Sequence, residues 1–358
     1  MKKGSRACVK PEKPSMTVGI DLGDRFSRYC VMNQTGEVIE EGRIATTATA
    51  LERHFAGEAR QRIAMECGTH SPWVSRLLQE MGHEVWVANT RKIRAITGSE
   101  SKNDRNDAEK LARFAAHDPK LLSPIRHRSP ERQRDLNLLQ VRDTLVRART
   151  MLVNALRGLI KSAGHRLPKC STESFARVAG SAIPPGYELA ARPLLEQVAQ
   201  LSQQIRSMDQ QIEALAKHYP EVARLRSVPG VGPVIAAAYV LTLDTPTAVT
   251  KSRAVGAFLG LRPRQSQSGD CNPQHGISKT GNDYLRRLLV QAAQYTLGPF
   301  GPDSQLRRWG LKLAASGGKR GKKRAVVAVA RKLAVLLHCL WRSGQYYRPF
   351  PNSAQTAA

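Results

Sequence analysis

Carboxylates are scarce in this sequence. Its 358 residues hold 29 Asp and Glu against 56 Lys and Arg, a formal net charge of +27. That imbalance points to a polyanionic partner, because Lys and Arg that displace counterions from phosphates gain affinity without reading sequence. A ribosomal-type or membrane-surface protein is the plainer alternative. Cysteine is sparse too: Cys8, Cys30, Cys67, Cys170, Cys271 and Cys339 stand singly, with no CxxC pair and no His at finger spacing. This excludes a disulfide framework and a structural zinc, and fits a reduced cytoplasmic protein. No run approaches the roughly 20 apolar residues that span a bilayer. The opening MKKGSRACVKPEKPS is basic without an apolar centre, so residues 1–15 read as a disordered tail rather than a signal peptide.

Apolar residues make up 41% of the chain, enough for a folded core, and the length accommodates two or three domains. From Met16 to about His117, strands and helices alternate. MTVGIDLG, SRYCVMNQ and VIEEGRIAT are three consecutive strands. A helix, RIAMECG (62–68), a helix from about Ser71, EVWVAN (84–89) and a last helix follow. That order predicts a mixed sheet with helices packed on it. The middle is helical, with Leu194, Val198, Leu201, Ile205, Met208, Ile212 and Leu215 forming a heptad seam. The seam suits either a hairpin within the chain or a coiled coil between copies. SVPGVGPVIAAAYV (227–240) follows, where Gly230 and Gly232 allow a tight turn whose backbone N–H groups can grip a phosphate, as in helix-hairpin-helix modules. The same pattern also suits a simple helix connection. Residues 301–350 hold 12 Lys and Arg against Asp303 alone, centred on GGKRGKKR (317–324) and interleaved with Trp309, Trp341, Tyr346 and Tyr347, a polyanion-binding pattern of low specificity.

Against this background four acids stand out. Asp21 closes the apolar strand of VGIDLG, where a lone charge is costly unless it is paired or metal-bound. Glu66 closes a second strand in IAMECG, and parallel pairing of the two strands would bring both carboxylates to one sheet edge. Asp104 and Asp107, in SKNDRNDAEKLARF (101–114), share a helix face, with Lys102 and Arg105 beside them. Each has a bland reading; the helical pair suits an N-cap and a first-turn acid. Together they compose an oxygen-rich set suited to Mg²⁺ (or Mn²⁺) at a phosphate. GIDLG also occurs in actin-like and sugar-kinase ATPases, but the second phosphate loop and second large α/β domain of that class are missing from the sequence.

Residues 257–289, AFLGLRPRQSQSGDCNPQHGISKTGNDYLRRLL, place Ser266 and Ser268 in a polar, glycine-containing loop. By chemistry alone these are loop serines. The constellation of GIDLG, AMECGTHSPW, KNDRNDAEKLA, VPGVGP, AFLGLRPRQSQSG, GISKTGNDYLRRLL and GKKRAVVAVARKLA resembles, from about Thr17 to Ser343, the DEDD transposases of the insertion-sequence-110 kind, or bridge recombinases. The resemblance implies an α/β N-terminal RNase H-like (RuvC-like) domain, residues 16–120, whose four acids fall on Asp21, Glu66, Asp104 and Asp107. It implies a helical coiled-coil segment, 121–222, and a mainly α C-terminal transposase domain with a helix-hairpin-helix-like element, 223–345, before a tail, 346–358. The nucleophilic serine falls on Ser268, with Ser266 the alternative. Candidate nucleic-acid contacts are Lys102, Arg105, Gly230, Gly232, Arg262, Arg264, Lys279, Arg286, Arg287, Lys319, Arg320, Lys322, Lys323 and Arg324.

The resemblance further implies recombination of donor and target DNA under a structured guide RNA from the element's own non-coding end. It implies a homo-oligomer, dimer to tetramer, with the active site shared between subunits, in the bacterial cytoplasm at the nucleoid and away from membranes. A hydrolytic, structure-specific nuclease using the four acids alone is the competing enzyme. A non-catalytic scaffold fits poorly, since four carboxylates near DNA repel phosphate unless a metal neutralises them.

Overall fold

The computed structural model describes residues 14–89, 104–266, 273, 275–316 and 318–350, without the side chains of Asp104, Arg105 and Lys319. The chain divides into two compact units, residues 1–128 and 129–358.

Five strands form the sheet of the first unit: β1 (Thr17–Asp21), β2 (Phe26–Met32), β3 (Val38–Ala45), β4 (Arg62–Glu66) and β5 (Glu84–Ala88). Their spatial order is β3-β2-β1-β4-β5. The first three are an antiparallel meander, while β4 and β5 run parallel to β1. Parallel pairing needs crossovers, and α1 (Ala48–Phe55) and α2 (Ser71–Glu80) supply them. Strand residues alternate between two faces. Val18, Ile20, Ile63, Met65 and Val87 pack with Leu51, Phe55, Val74 and Leu78 of α1 and α2. The opposite face belongs to α3 (Asp104–His117): Ala64 and Ala88 meet Leu111 and Ala115, and Cys30 and Met32 meet Ala108 and Ala112.

That second face is lined by small residues, which lets α3 lie close to the sheet. A Cβ on Gly19 would overlap the Ala108 carbonyl and stand 2.6 Å from the Ala112 nitrogen. At the far end of the helix, Arg62 Nη1 donates to the Ala115 carbonyl at 3.2 Å. With Ala115 beside the start of β4 and Ala108 against the middle of β1, α3 runs antiparallel to both strands. Its first turn therefore lies at their C-terminal ends.

The second unit is helical. α4 (Pro130–Ser162) starts at Ser129, whose hydroxyl accepts from the Arg132 N–H, with Pro130 in the first turn. After α5 (Phe175–Gly180), α6 (Glu188–Ala216) returns along α4 as a hairpin. The predicted seam is thus occupied within the chain: Val198, Ile205 and Ile212 are buried, and Leu136, Leu139, Val153, Leu156 and Ile160 are buried on α4. Arg149 reaches Ser202 at 3.2 Å and Arg142 pairs with Asp209 at 2.7 Å across the same hairpin.

α7 (Pro220–Leu225) and a tight turn lead to α8 (Pro233–Leu243), with every residue from Ala236 onward buried. A helix apolar all round belongs at a core centre. Around it pack α10 (Asp283–Leu297) and α12 (Gly321–Ser343), with the short α9 (Val255–Phe258) and α11 (Gln305–Ser316) alongside. Polar atoms of this core are paired: Tyr239 donates to the Ala334 carbonyl at 2.6 Å, and His338 bridges Ser252 and the Pro246 carbonyl at 2.9 and 3.0 Å. Among the described residues no helix is long and apolar enough to cross a membrane.

Candidate active site and nucleic-acid interface

In the first unit the register aligns Ile20 of β1 with Met65 of β4. The next residue of each strand, Asp21 and Glu66, are therefore neighbours at the C-terminal edge. Period-two alternation puts Asp21 on the Gly19 face and Glu66 on the Ala64 face, which is the side covered by α3. The antiparallel run of α3 brings its first turn, Asp104 to Asp107, to the same edge. Asp107 is mostly buried and its carboxylate lies 3.3 Å from Lys110 Nζ. Among the described residues no group of three or more His, Cys, Asp or Glu side chains stands at metal-binding spacing. The backbone thus brings Asp21 and Glu66 together and carries Asp107 to the same edge, without closing the three into a metal-binding group. Lys102 and the side chains of Asp104 and Arg105 lie outside the described residues.

The turn after Glu66 is held in place by local hydrogen bonds. Ser71 Oγ accepts from the Gly68 N–H at 3.0 Å, donates to the Gly68 carbonyl at 2.8 Å and meets His127 Nε2 at 3.0 Å. Burial, then the charges of Arg76 and Arg128, push the His127 imidazole below its ordinary range. His70 Nδ1 accepts from the Trp73 indole N–H at 3.1 Å.

In the second unit the loop carrying the two serines is stapled at its base. Pro263 bridges Ile277, Arg264 N–H donates to the Gly276 carbonyl at 3.0 Å, and Ser278 N–H donates to the Arg262 carbonyl at 2.9 Å. Below the staple two glycines with positive φ bring the strands of the loop into contact. A Cβ on Gly260 would overlap the Thr280 carbonyl, and one on Gly281 the Phe258 carbonyl. Arg286, buried, ties this base to α10: Nη1 donates to the carbonyls of Leu259 at 2.9 Å and Thr280 at 3.3 Å, and Nη2 pairs with Asp283 at 2.7 Å. Arg287 grips Asp143 through both terminal nitrogens, at 3.1 and 2.9 Å, and reaches Asp283 as well. Both arginines are therefore engaged within the protein. Ser266 is exposed just beyond the staple, and Ser268 lies outside the described residues.

Beside this loop opens a cleft of about 1730 Å³ between the loop base, α11, α12 and the chain after α12. Among the described residues nine cations line it, Arg253, Arg264, Lys279, Arg320, Lys323, Arg324, Arg331, Lys332 and Arg348, and no Asp or Glu does. Five of these were candidates from the motifs. Arg253, Arg331, Lys332 and Arg348 were missed, although Arg324, Ala328, Arg331 and Val335 follow helical spacing on α12 and mark one face. Lys322 and Arg262 are exposed but do not line the cleft, and the Lys319 side chain lies outside the described residues. Gly230 takes a positive φ of 85° in the α7–α8 turn and packs on Tyr295, while Gly232 is exposed at the start of α8. A smaller hollow lined by Arg226, Gly230, Gly232 and Tyr295 adjoins that turn.

An acidic sheet edge beside a helix start, in a chain otherwise this basic, is the arrangement of a phosphoryl-transfer enzyme that works on nucleic acid. Residues 18–164 match the DEDD transposase domain of IS110 elements. Residues 222–306 match the Transposase IS116/IS110/IS902 family. A probable family 20 transposase of Pseudomonas aeruginosa is 30% identical over 296 residues, covering 80% of this chain and 86% of the relative. The transposase for insertion sequence element IS1111A of Coxiella burnetii is 28% identical over 343 residues, 92% and 91% of the two chains. The transposase for element IS1328 of Yersinia enterocolitica is 28% identical over 285 residues, 78% and 84%. The chain belongs to the IS110 family of DEDD transposases, enzymes that cleave and rejoin DNA. DEDD domains of this kind are typically divalent-metal dependent.

Proposed function

We propose that the chain is an RNA-guided serine transposase of a bacterial insertion sequence, joining donor and target DNA through a covalent serine–DNA intermediate. Ser268 Oγ attacks a DNA phosphorus; its P–O bond forms as the P–O bond to a deoxyribose oxygen breaks, and the serine proton ends on that oxygen, which leaves as a hydroxyl. A second deoxyribose hydroxyl then expels the serine, so the bond energy is conserved across the exchange. Asp21, Glu66, Asp104 and Asp107 would hold Mg²⁺ or Mn²⁺, which supplies positive charge to the reacting phosphate. Sequence choice rests on base pairing to a structured RNA, and the protein's cations hold the nucleic-acid backbones.

The observation that carries this reading is the glycine-clamped serine loop opening onto a cleft lined, among the described residues, by nine cations and no carboxylate. Residues 16–120 act as the metal-binding domain, 121–222 as a helical linker and 223–345 as the serine domain. The α7–α8 turn works as a helix-hairpin-helix-like phosphate grip. Copies assemble as a dimer or tetramer with the site shared between subunits. Since α6 already packs on α4, the surface for a second copy is the outer stripe of α4, where Val141, Met151 and Leu159 are exposed.

The test incubates the full chain with the element's non-coding-end RNA and both DNAs. Wild type should yield recombinant product and a protein–DNA adduct. Ser268→Ala should lose both, and Ser266→Ala should keep both. Intact recombination by Ser268→Ala overturns the assignment, and cleavage with no adduct in any variant leaves the hydrolytic nuclease instead.

A further inference from the structure

We infer that the basic cleft of the second unit holds an unpaired stretch of nucleic acid, its bases on an apolar floor and its phosphates on the cationic rim. This deepens the proposed function and rests on its nucleic-acid reading. The first argument is how the scarce acids are placed. Across the rest of the unit they neutralise arginines: Arg142 with Asp209 at 2.7 Å, Arg287 with Asp143 at 2.9 Å, Arg147 with Asp143 at 3.1 Å, Arg206 with Glu173 at 3.2 Å. On the cleft rim Arg253, Arg264, Lys279 and Arg331 have no carboxylate partner among the described residues. Among the described residues the positive charge of these four rim cations is thus uncompensated by carboxylates, so an anion gains there.

The second argument is the floor. Leu306, Trp309, Leu336 and Tyr347 line the cleft beneath that rim. A duplex offers phosphates and base edges and keeps its base faces stacked inside, so it would leave this floor uncovered. An unpaired strand offers flat base faces alongside its phosphates, and stacking of bases on aromatic side chains tolerates any sequence. Lys332 Nζ lies 3.7 Å from the Trp309 ring centroid, so a cation already sits over one face of that indole, where a strand phosphate would meet it beside the floor. The volume of about 1730 Å³ exceeds the roughly 300–1,000 Å³ usual for small-molecule pockets, so a polymer segment fits better than a metabolite.

The test measures binding of the full chain to four 12-mers: thymidine DNA, uridine RNA, an abasic strand and a duplex. Either base-bearing single strand should bind at least about tenfold tighter than the abasic strand, and the tighter of the two names DNA or RNA as the occupant. 5-Iodouracil placed in that strand should photo-crosslink to Trp309 or Tyr347. Arg331→Ala should weaken all four and lower the slope of log affinity against log salt by about one. Trp309→Ala should remove the advantage of bases over abasic sites. That indole also packs on the core, but the ligand series needs no variant. Equal binding of the abasic strand or the duplex, or crosslinks only outside the cleft, overturns the inference while the nucleic-acid reading stands. Failure to bind any of the four overturns both.

Discussion

Gly19→Ala tests whether the acidic edge depends on how closely α3 approaches the sheet. The added methyl would stand 2.6 Å from the Ala112 nitrogen and closer still to the Ala108 carbonyl, whereas real Cβ atoms essentially never come within 3.0 Å. Both neighbours are backbone, so no side chain can swing aside and the helix itself must move out, by about 1 Å for van der Waals clearance. Overpacking of this kind costs about 1–3 kcal/mol. For a unit near this size that lowers Tm by about 4 °C per kcal/mol. On the proposed role of the acids the larger effect falls on chemistry, because α3 carries Asp104 and Asp107 while β1 carries Asp21. A misplacement of about 1 Å between reacting groups costs on the order of 100-fold in rate. The assay pairs strand exchange with thermal unfolding followed by circular dichroism. Gly158→Ala is the control: Gly158 lies inside α4 with nothing within 4 Å of the added methyl. That change should stabilise the helix by up to about 1 kcal/mol and leave activity alone. Unchanged Tm and unchanged strand exchange in Gly19→Ala would refute the close-packing account of the site.

Three further outcomes follow from the geometry. Arg286→Lys should not preserve the serine-loop base, because one ammonium cannot reproduce a fork that meets two carbonyls and Asp283. The cost should be about 1–3 kcal/mol, with faster proteolysis within residues 264–276; wild-type resistance in that variant would count against the role. Burial and the Arg342 charge hold the His338 imidazole below its ordinary range, against the opposing pull of the Pro246 carbonyl. The unfolded chain therefore takes the proton first as pH falls. Stability is complete above about pH 6.5 and should drop as pH falls toward the folded-state value. His338→Gln should flatten that part of the stability–pH curve; an unaltered slope means the residue does not govern it. On the proposed assembly through the exposed stripe of α4, Met151→Asp should shift the chain toward monomer in analytical ultracentrifugation while leaving the α4–α6 hairpin intact by circular dichroism. An unchanged oligomer places the contact elsewhere.

Much of the first unit is legible in the sequence because strands advertise themselves. β1, β2 and β5 fall on largely apolar runs and β4 on a short one, β3 follows a turn signal, and the helices follow from what remains. The heptad spacing of α6 was legible too, but not its partner. A seam between Leu194 and Leu215 has the same pattern whether it faces α4 of its own chain or a second copy. Only the packed hairpin, with Arg142 on Asp209, separates the two. Likewise the basic run 317–324 reads as uniformly positive, yet Lys323 and Arg324 line the cleft and Lys322 does not. Charge is a property of composition, whereas the side it faces depends on where α12 docks.

Local patterning therefore settled the identity and order of the strands, the polyanionic partner and the four acids worth examining, since these depend on residue type and short-range spacing. Folding decided what those residues do to one another. The parallel register makes Asp21 and Glu66 neighbours across 44 intervening positions of chain. The bare face of Gly19 admits α3, and two glycines with positive φ close the serine loop. Arg286 is drawn inward while Arg331 is left on the rim. Contacts between distant segments are set by the exclusion of overlap and the pairing of buried polar groups, and neither is written in the order of neighbours along the chain.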